Sequence, residues 1–291
     1  MSVFFLKVIA LITMILDHIG AYIPNAPFIL RCMGRLSAPL FLFCAIQGYK
    51  NTHNKKKYLT RLYLFSIFMG IIDAIFSVTA NYIRGILWTL ILISIIDAII
   101  SKNEDGKKNI TAFVIWQLFW TTIVSFYFYT NFIDIPENLL FIILPVIGSP
   151  LYMEYGFMFV FLGVLIYYWG NTKKTLAIVY TIITGLLFLM QNTDIIHRLM
   201  NKIIREFSLS GIAKERVIQS FDYFFGGLFD LDIIFSGSGL FYSIQWLMIF
   251  ALPFLLYYNG KKGKGVKYMF YIAYPLNIVV LRGIAILMGY H

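Results

Sequence analysis

Charge is scarce in this sequence. Asp, Glu, Lys and Arg supply 13% of its 291 residues, against roughly 25% in a soluble domain. Hydrophobic residues supply 60%, and the mean hydropathy is +0.78. A soluble core of this length has no room for so much apolar surface, whereas a bilayer removes the difficulty. Cysteine is almost missing. Cys32 and Cys44 stand twelve apart on one predicted helix, roughly 18 Å along its axis at about 1.5 Å per residue. They cannot pair within that helix, and metal-ligand spacing is absent, so no metal is expected. Internal repeats and low-complexity tracts are also missing, which leaves one membrane domain over 1–291 as the simplest division. The apolar runs lack the alternation of a membrane barrel. No small-residue cleavage site follows the first run, and a second begins four residues later, so the first run reads as a span and not as a cleavable signal.

What is present is a series of long apolar segments. A spanning helix needs about 20 mostly apolar residues. Spans are predicted near 4–23, 28–49, 58–78, 82–100, 110–130, 155–169, 175–191, 240–258 and 266–288. The fold class is therefore all-α, a polytopic transmembrane bundle of nine to ten spans whose partner is the lipid bilayer. A shorter run at 139–148 is interrupted by Pro145, Gly148 and Pro150. It reads as a half-helix that forms one broken crossing with the short 155–169 segment. The stretch 192–239 mixes charge with amphipathic pieces and reads as an interfacial or external helical insertion.

The net charge of +10 is unevenly placed. Lys50, Lys55, Lys56, Lys57 and Arg61 cluster after the second span, Lys102, Lys107 and Lys108 after the fourth. Lys173 and Lys174 follow the sixth, and Lys261, Lys262, Lys264 and Lys267 the eighth. Positive connections stay inside. The N-terminus is thus expected in the cytoplasm and the C-terminus outside, and topology accounts for the basicity without nucleic acid.

Ionisable groups within spans are costly and read as functional. The first span carries Lys7, Asp17 and His18. Lys7 and His18 are eleven residues apart, within about 20° of one face and roughly 16 Å along the axis. Asp17 points about 100° away from His18. The second span runs back with Arg31 and Arg35 one turn apart, and Arg35 falls at the depth of His18. Gly34 and Ser37 permit close helix approach, and Pro39 frees a carbonyl and bends the helix. Two bland readings stand beside this one: an Asp–Arg pair that staples two helices, and a Lys7 that snorkels to the interface. A proton relay in a transporter uses the same residue types.

The opening helix followed by GRLSAPLFLFCAIQGYKNTHNKKKYLTRL resembles the TraX family of bacterial membrane proteins. EYGFMFVFLGVLIYYW at 154–169 and LPFLLYYNGKKGKGVKYMFYIAYPLNIVVL at 252–281 carry the same resemblance. TraX proteins acetylate the N-terminus of a conjugative pilin subunit. They look related to multispan acyltransferases, in which a basic residue, ten residues and then His mark the first helix, the spacing of Lys7 and His18. The resemblance implies an acyl-CoA-dependent acetyltransferase of the bacterial inner membrane, with acetyl-CoA as cytoplasmic donor. The acceptor it implies is an amine or hydroxyl, on a pilin-like peptide N-terminus or a cell-surface component.

On that resemblance His18 is the base, Asp17 stands beside it, and Lys7 and Arg35 are the positive groups of the site. Lys57 and Arg61 belong to a basic mouth for the anionic donor, and Arg35 faces the developing oxyanion. Pro39, Gln47, Tyr274 and Asn277 are motif positions along the acyl path. Two of these depart from the family pattern. An acidic residue is expected where Gln47 stands, and His where Asn277 stands. Asn hydrogen-bonds but shuttles no proton at neutral pH. The competing reading is a non-catalytic TraX-like membrane partner or a small-solute transporter on the same scaffold.

Overall fold

A computed structural model describes residues 1–102, 104–130, 136–150, 153–225, 243–265 and 267–289. In chain order the helices are α1 (Val3–Tyr22), α2 (Ile29–Gly34), α3 (Ser37–Lys50), α4 (Lys55–Phe76), α5 (Tyr82–Ile100), α6 (Glu104–Thr130) and α7 (Glu137–Ile147). They continue with α8 (Gly156–Trp169), α9 (Lys173–Asn192), α10 (Ile195–Glu206), α11 (Gly211–Phe225), a 3₁₀ helix (Gln245–Ala251), α12 (Leu252–Leu256) and α13 (Lys267–Leu287). The described residues form no strand. Among the described residues, six helical stretches are long and apolar enough to cross a membrane: α1, Ile29–Lys50 of α2 and α3 together, α4, α5, α9 and Tyr268–Leu287 of α13. The chain is an all-helical membrane protein. The connection at 131–135, the 226–239 part of the predicted insertion and His291 lie outside the described residues.

The chain divides into two compact units. Unit 1 comprises Met1–Thr52, Leu165–Lys214 and Leu228–His291, and unit 2 comprises His53–Val164 and Glu215–Gly227.

In unit 1, α1 packs against α2, α3 and α13. Its free N-terminal amides are met by a loop from the far end of the chain. Val3 N donates to the Lys261 carbonyl at 2.9 Å and Phe4 N to that of Lys262 at 3.1 Å, while Asn259 N donates back to the Met1 carbonyl at 2.9 Å. These bonds satisfy groups that a helix start otherwise leaves open. The helix stops where Ile23, held extended at φ −94° and ψ 121°, precedes Pro24. The second predicted span is broken at Arg35–Leu36 between α2 and α3. Pro39, lacking an N–H, cannot bond the Arg35 carbonyl one turn back. Instead of one continuous helix at 240–258, the chain forms a 3₁₀ helix and then the short α12 with Pro253 near its start. Tyr180 Oη of α9 donates to the Met248 carbonyl of the 3₁₀ helix at 2.7 Å, which holds this irregular piece. After α9 comes α10, whose Ile196 and Met200 are buried while Arg198, Lys202 and Arg205 lie on the opposite, polar side. The insertion thus begins as an amphipathic helix.

Unit 2 is built on the α4–α5 pair and on α7, which packs along α4. Asn54 caps α4 by accepting from Lys57 N at 2.8 Å, the preferred chemistry for a helix start. At 11 residues α7 is too short to cross, as expected for a half-helix. Its C-terminus ends at Gly148 in the left-handed region, φ +67°, which favours glycine. Exposed carbonyls at such an end are costly in an apolar environment, and each finds a donor. Val146 O accepts from Tyr63 Oη at 2.6 Å, Ile147 O from Trp116 Nε1 at 3.1 Å, and Gly148 O from Gln117 Nε2 at 3.1 Å. Ser149 O accepts from Arg84 Nη2 at 2.8 Å. Around this end Val124, Leu144 and Ile147 form an apolar cluster with Trp120, Leu140 and Ile143.

Candidate functional site

Asp17 and His18 sit in the last turns of α1, both buried. Consecutive helix residues point about 100° apart, and each reaches a different neighbour. Asp17 turns to α2. Gly34 makes that approach possible, because a Cβ there would lie 2.2 Å from the Asp17 Cβ. The Asp17 carboxylate is shared by two guanidiniums. Arg31 Nη1 donates to Oδ2 at 2.9 Å and also to the Asp17 carbonyl at 3.2 Å. Arg35 Nη2 donates to Oδ1.

Arg35 is held from two further directions. Its Nε donates to the Arg31 carbonyl at 3.2 Å, and its Nη1 donates to Gln245 Oε1 at 3.0 Å. Gln245 is the first residue of the 3₁₀ helix and is only 3% exposed. Arg35 is thereby fixed by α1, α2 and the 3₁₀ helix together. One carboxylate and two guanidiniums leave this cluster with one net positive charge.

His18 turns instead to α13, where its Nδ1 meets the Asn277 side-chain nitrogen, Nδ2, at 2.5 Å. Among the described residues Asn277 is its one hydrogen-bond partner. Tyr22, one turn on, lies beside the imidazole with ring centroids 5.5 Å apart, and Arg282 of α13 lies 5.9 Å from the Tyr22 ring. Asn277 follows Pro275, which removes one backbone bond from α13.

The other sequence candidates fall as follows. Lys7 lies about three turns nearer the start of α1, with Nζ 5.4 Å from the centre of the Phe270 ring, a cation–π distance. Pro39 and Tyr274 are buried, and Gln47 is half-buried near the end of α3. Lys57 and Arg61 stand on α4 in unit 2, where Arg61 lies 5.7 Å from the Tyr58 ring. Both cysteines are free.

Three polar residues with clear roles escape the sequence reading. Gln245 is an uncharged polar group in an apolar run, a weak signal. Asp73 and Arg84 are ionisable groups inside predicted spans, a strong signal by the same rule that selects Asp17. Asp73 Oδ1 accepts from Ala80 N at 3.3 Å, and Arg84 caps α7 as described.

Comparison with known proteins follows this geometry. Residues 2–142 match the family model described as TraX protein. That stretch contains Lys7, Asp17, His18, Arg31 and Arg35, but not Gln245 or Asn277. Over 129 residues the chain is 33% identical to "Uncharacterized protein RP591" of Rickettsia prowazekii (strain Madrid E), covering 40% of this chain and 48% of that protein. Over 70 residues it is 39% identical to "Probable fimbrial assembly protein FimC, serogroup H1" of Dichelobacter nodosus, covering 23% of this chain and 29% of that one. The chain thus spans about half the length, or less, of these relatives. No solved structure matches. Residues 2–142, just under half of the chain, are thus similar to the TraX family.

Proposed function

We propose that this chain is a membrane-embedded acyltransferase of the bacterial cytoplasmic membrane. It moves an acetyl group from cytoplasmic acetyl-CoA to an amine or hydroxyl acceptor, on a pilin-like peptide N-terminus or a cell-surface component. The observation that carries the reading is the division of labour at the end of α1. A buried imidazole is oriented from α13, and a cluster with one net positive charge is fixed beside it by α2 and the 3₁₀ helix.

Acyl transfer uses both. The acceptor nitrogen or oxygen attacks the thioester carbonyl while His18 takes the proton that the acceptor loses. Negative charge develops on the carbonyl oxygen, and Arg35, already held in place, supplies opposite charge without having to reorganise. The tetrahedral centre collapses, the C–S bond breaks, and the leaving CoA thiolate takes the proton back from His18. Lys7, nearer the start of α1, steers the anionic donor. The basic connections put the N-terminus inside, where acetyl-CoA is made available. Nine crossings result if α6, the α7/α8 pieces and Gln245–Leu256 are added to the six long spans. A relative named for fimbrial assembly favours a pilus-type subunit as acceptor.

The test is acetyl-CoA turnover by purified protein in lipid, with a pilin-like peptide as acceptor and His18→Ala as control. Transfer that survives His18→Ala unchanged sinks the assignment. A second reading, a non-catalytic partner, is favoured by Gln47 and Asn277, where acidic and His residues are expected. It predicts that wild-type protein binds its partner but turns over no acetyl-CoA.

A further inference from the structure

The run YNGKKGK at 258–264 carries part of the family resemblance, yet acyl transfer at His18 gives it no task. Its build is specific. Asn259 N and the carbonyls of Lys261 and Lys262 are bonded to the backbone of Met1, Val3 and Phe4. Asn259 Oδ1 accepts from Lys261 N at 3.1 Å. Gly260 and Gly263 both stand at φ +76°, and a Cβ on Gly263 would strike Ser2 and Phe4. Glycine is what lets the chain turn this closely against the start of α1.

The turn uses its carbonyls on α1 and leaves amides over. The amides of Lys262, Gly263 and Lys264 donate to no acceptor among the described residues. Successive open amides about a left-handed residue are a backbone pattern that cups anions. The same turn carries Lys261, Lys262 and Lys264, all exposed. Its Lys262 carbonyl is bonded to Phe4, and Lys7 lies about one helical turn further along α1. Phe4 and Lys7 both approach the Phe270 ring, at 6.3 and 5.4 Å. Lys262 acts on Lys7 as a like charge.

No carboxylate offsets these cations. Among the described residues none of Lys7, Lys261, Lys262 and Lys264 forms an ion pair or a side-chain hydrogen bond. The described carboxylates of unit 1 are Asp17, Asp194 and Glu206. Asp17 is held by Arg31 and Arg35 at the other end of α1, and the other two stand at the ends of α10. A topology signal needs positive charge near the membrane and nothing more. It calls neither for left-handed glycines nor for a lysine set beside an intramembrane lysine. A bound anion satisfies the open amides and the unpaired cations together.

We propose that the Asn259–Lys264 turn and Lys7 form a binding site for a phosphate group, held by the open amides and Lys262, with Lys7 as the deeper cation. The phosphate comes from one of two sources, a nucleotide on the aqueous side or an anionic lipid headgroup. Use of the site for the phosphates of acetyl-CoA rests on the acyl-transfer reading; the site itself does not. In that use it puts a basic mouth in the unit that holds His18.

The test is binding of inorganic pyrophosphate, which has the phosphates of the donor and no acyl arm, to the purified full chain in phosphatidylcholine nanodiscs, followed by calorimetry. Wild type binds. Lys262→Gln weakens binding at least about 10-fold, the scale of one charge-assisted hydrogen bond, and Lys7→Gln does likewise. Lys173→Gln, at an exposed lysine outside the turn, changes binding by less than about 2-fold, because distant charge is screened. Parallel nanodiscs containing phosphatidylglycerol, read by native mass spectrometry, test the lipid source. If a headgroup takes the site, wild type retains phosphatidylglycerol that Lys262→Gln loses. Either ligand bound through Lys262 upholds the proposal, and pyrophosphate binding does so even where wild type transfers no acetyl group. Lipid retained with no pyrophosphate bound upholds the site and removes its use for acetyl-CoA. Wild type that binds neither overturns the proposal, as does a Lys173→Gln variant weakened as much as Lys262→Gln.

Discussion

Asp17→Asn tests whether the carboxylate is the keystone of the α1–α2 contact, and the two arms of its clamp should be unequal. Replacing the carboxylate by an amide keeps shape but leaves two guanidiniums without their counter-charge. The Arg31 arm is partly wet, since a third of that side chain is exposed. A pair of that kind contributes about 0–1 kcal/mol. The Arg35 arm is dry, with side-chain exposures of 10% and 11%. Removing one partner of a buried pair costs about 3–5 kcal/mol, mostly from the charge left behind. Arg31→Gln should therefore cost a fraction of what Asp17→Asn costs. Asp17→Asn combined with Arg35→Gln should cost less than the sum of the single changes. The assay is reversible unfolding of purified protein in mixed micelles, followed by helix signal against denaturing detergent. If Arg31→Gln destabilises as much as Asp17→Asn, or if the two sites add, burial is not what sets the energetics and the reasoning fails.

Gly34→Ala should destabilise by about 1–3 kcal/mol in the same assay, because its methyl would overlap Asp17; an unchanged midpoint would mean that α2 sits further from α1. Arg84→Leu should cost about 1–3 kcal/mol by leaving the Ser149 carbonyl without its side-chain donor, and Gln117→Leu should cost less because the Gly148 carbonyl loses only a neutral donor. Lys7→Ala should raise the KM for acetyl-CoA several-fold and leave kcat largely intact; a fall in kcat at constant KM would move Lys7 into the chemical step. Single cysteines at residues 2 and 291, on a background with Cys32 and Cys44 replaced, should give labelling by an impermeant thiol reagent on intact cells at 291 only. The reverse pattern would put the donor site on the wrong side of the membrane.

How much of this was legible in the sequence depends on the range of the interaction. The end of α1 is local: an apolar run halted by Pro24. So are the one-turn spacing of Arg31 and Arg35 and the room that Gly34 leaves. The 100° between Asp17 and His18 already requires two different neighbours. Which neighbours is not local. Gln245 and Asn277 lie more than two hundred residues along the chain from their partners, and a single uncharged polar residue in an apolar run leaves little trace. The irregular build of the predicted span 240–258 was hidden for a related reason. Hydropathy reports how much apolar surface is present and not which backbone ladder carries it, so the 3₁₀ turn at Gln245–Ala251 was invisible. The half-helix before Gly148 was legible from Pro145 and Gly148, yet its caps Tyr63, Arg84, Trp116 and Gln117 come from three other helices.

The two intramembrane charge clusters also show why an ionisable residue in a span is a starting point and not an answer. Arg84 has a structural role in sight. A helix that ends after 11 residues exposes carbonyls there, and Arg84 donates to that of Ser149 just beyond its end. The backbone itself creates the demand. At Asp17 the backbone makes a demand too, since Arg31 donates to the Asp17 carbonyl and Arg35 to the Arg31 carbonyl, but neither carbonyl calls for the carboxylate. The α1–α2 contact would be served as well by apolar side chains of similar volume, which often match or exceed a buried ion pair in stability. Instead the protein spends two guanidiniums on one carboxylate, recruits Gln245 to hold one of them, and turns the adjacent imidazole to a non-titrating amide. Net positive charge held beside His18 is what the proposed reaction through an oxyanion would use.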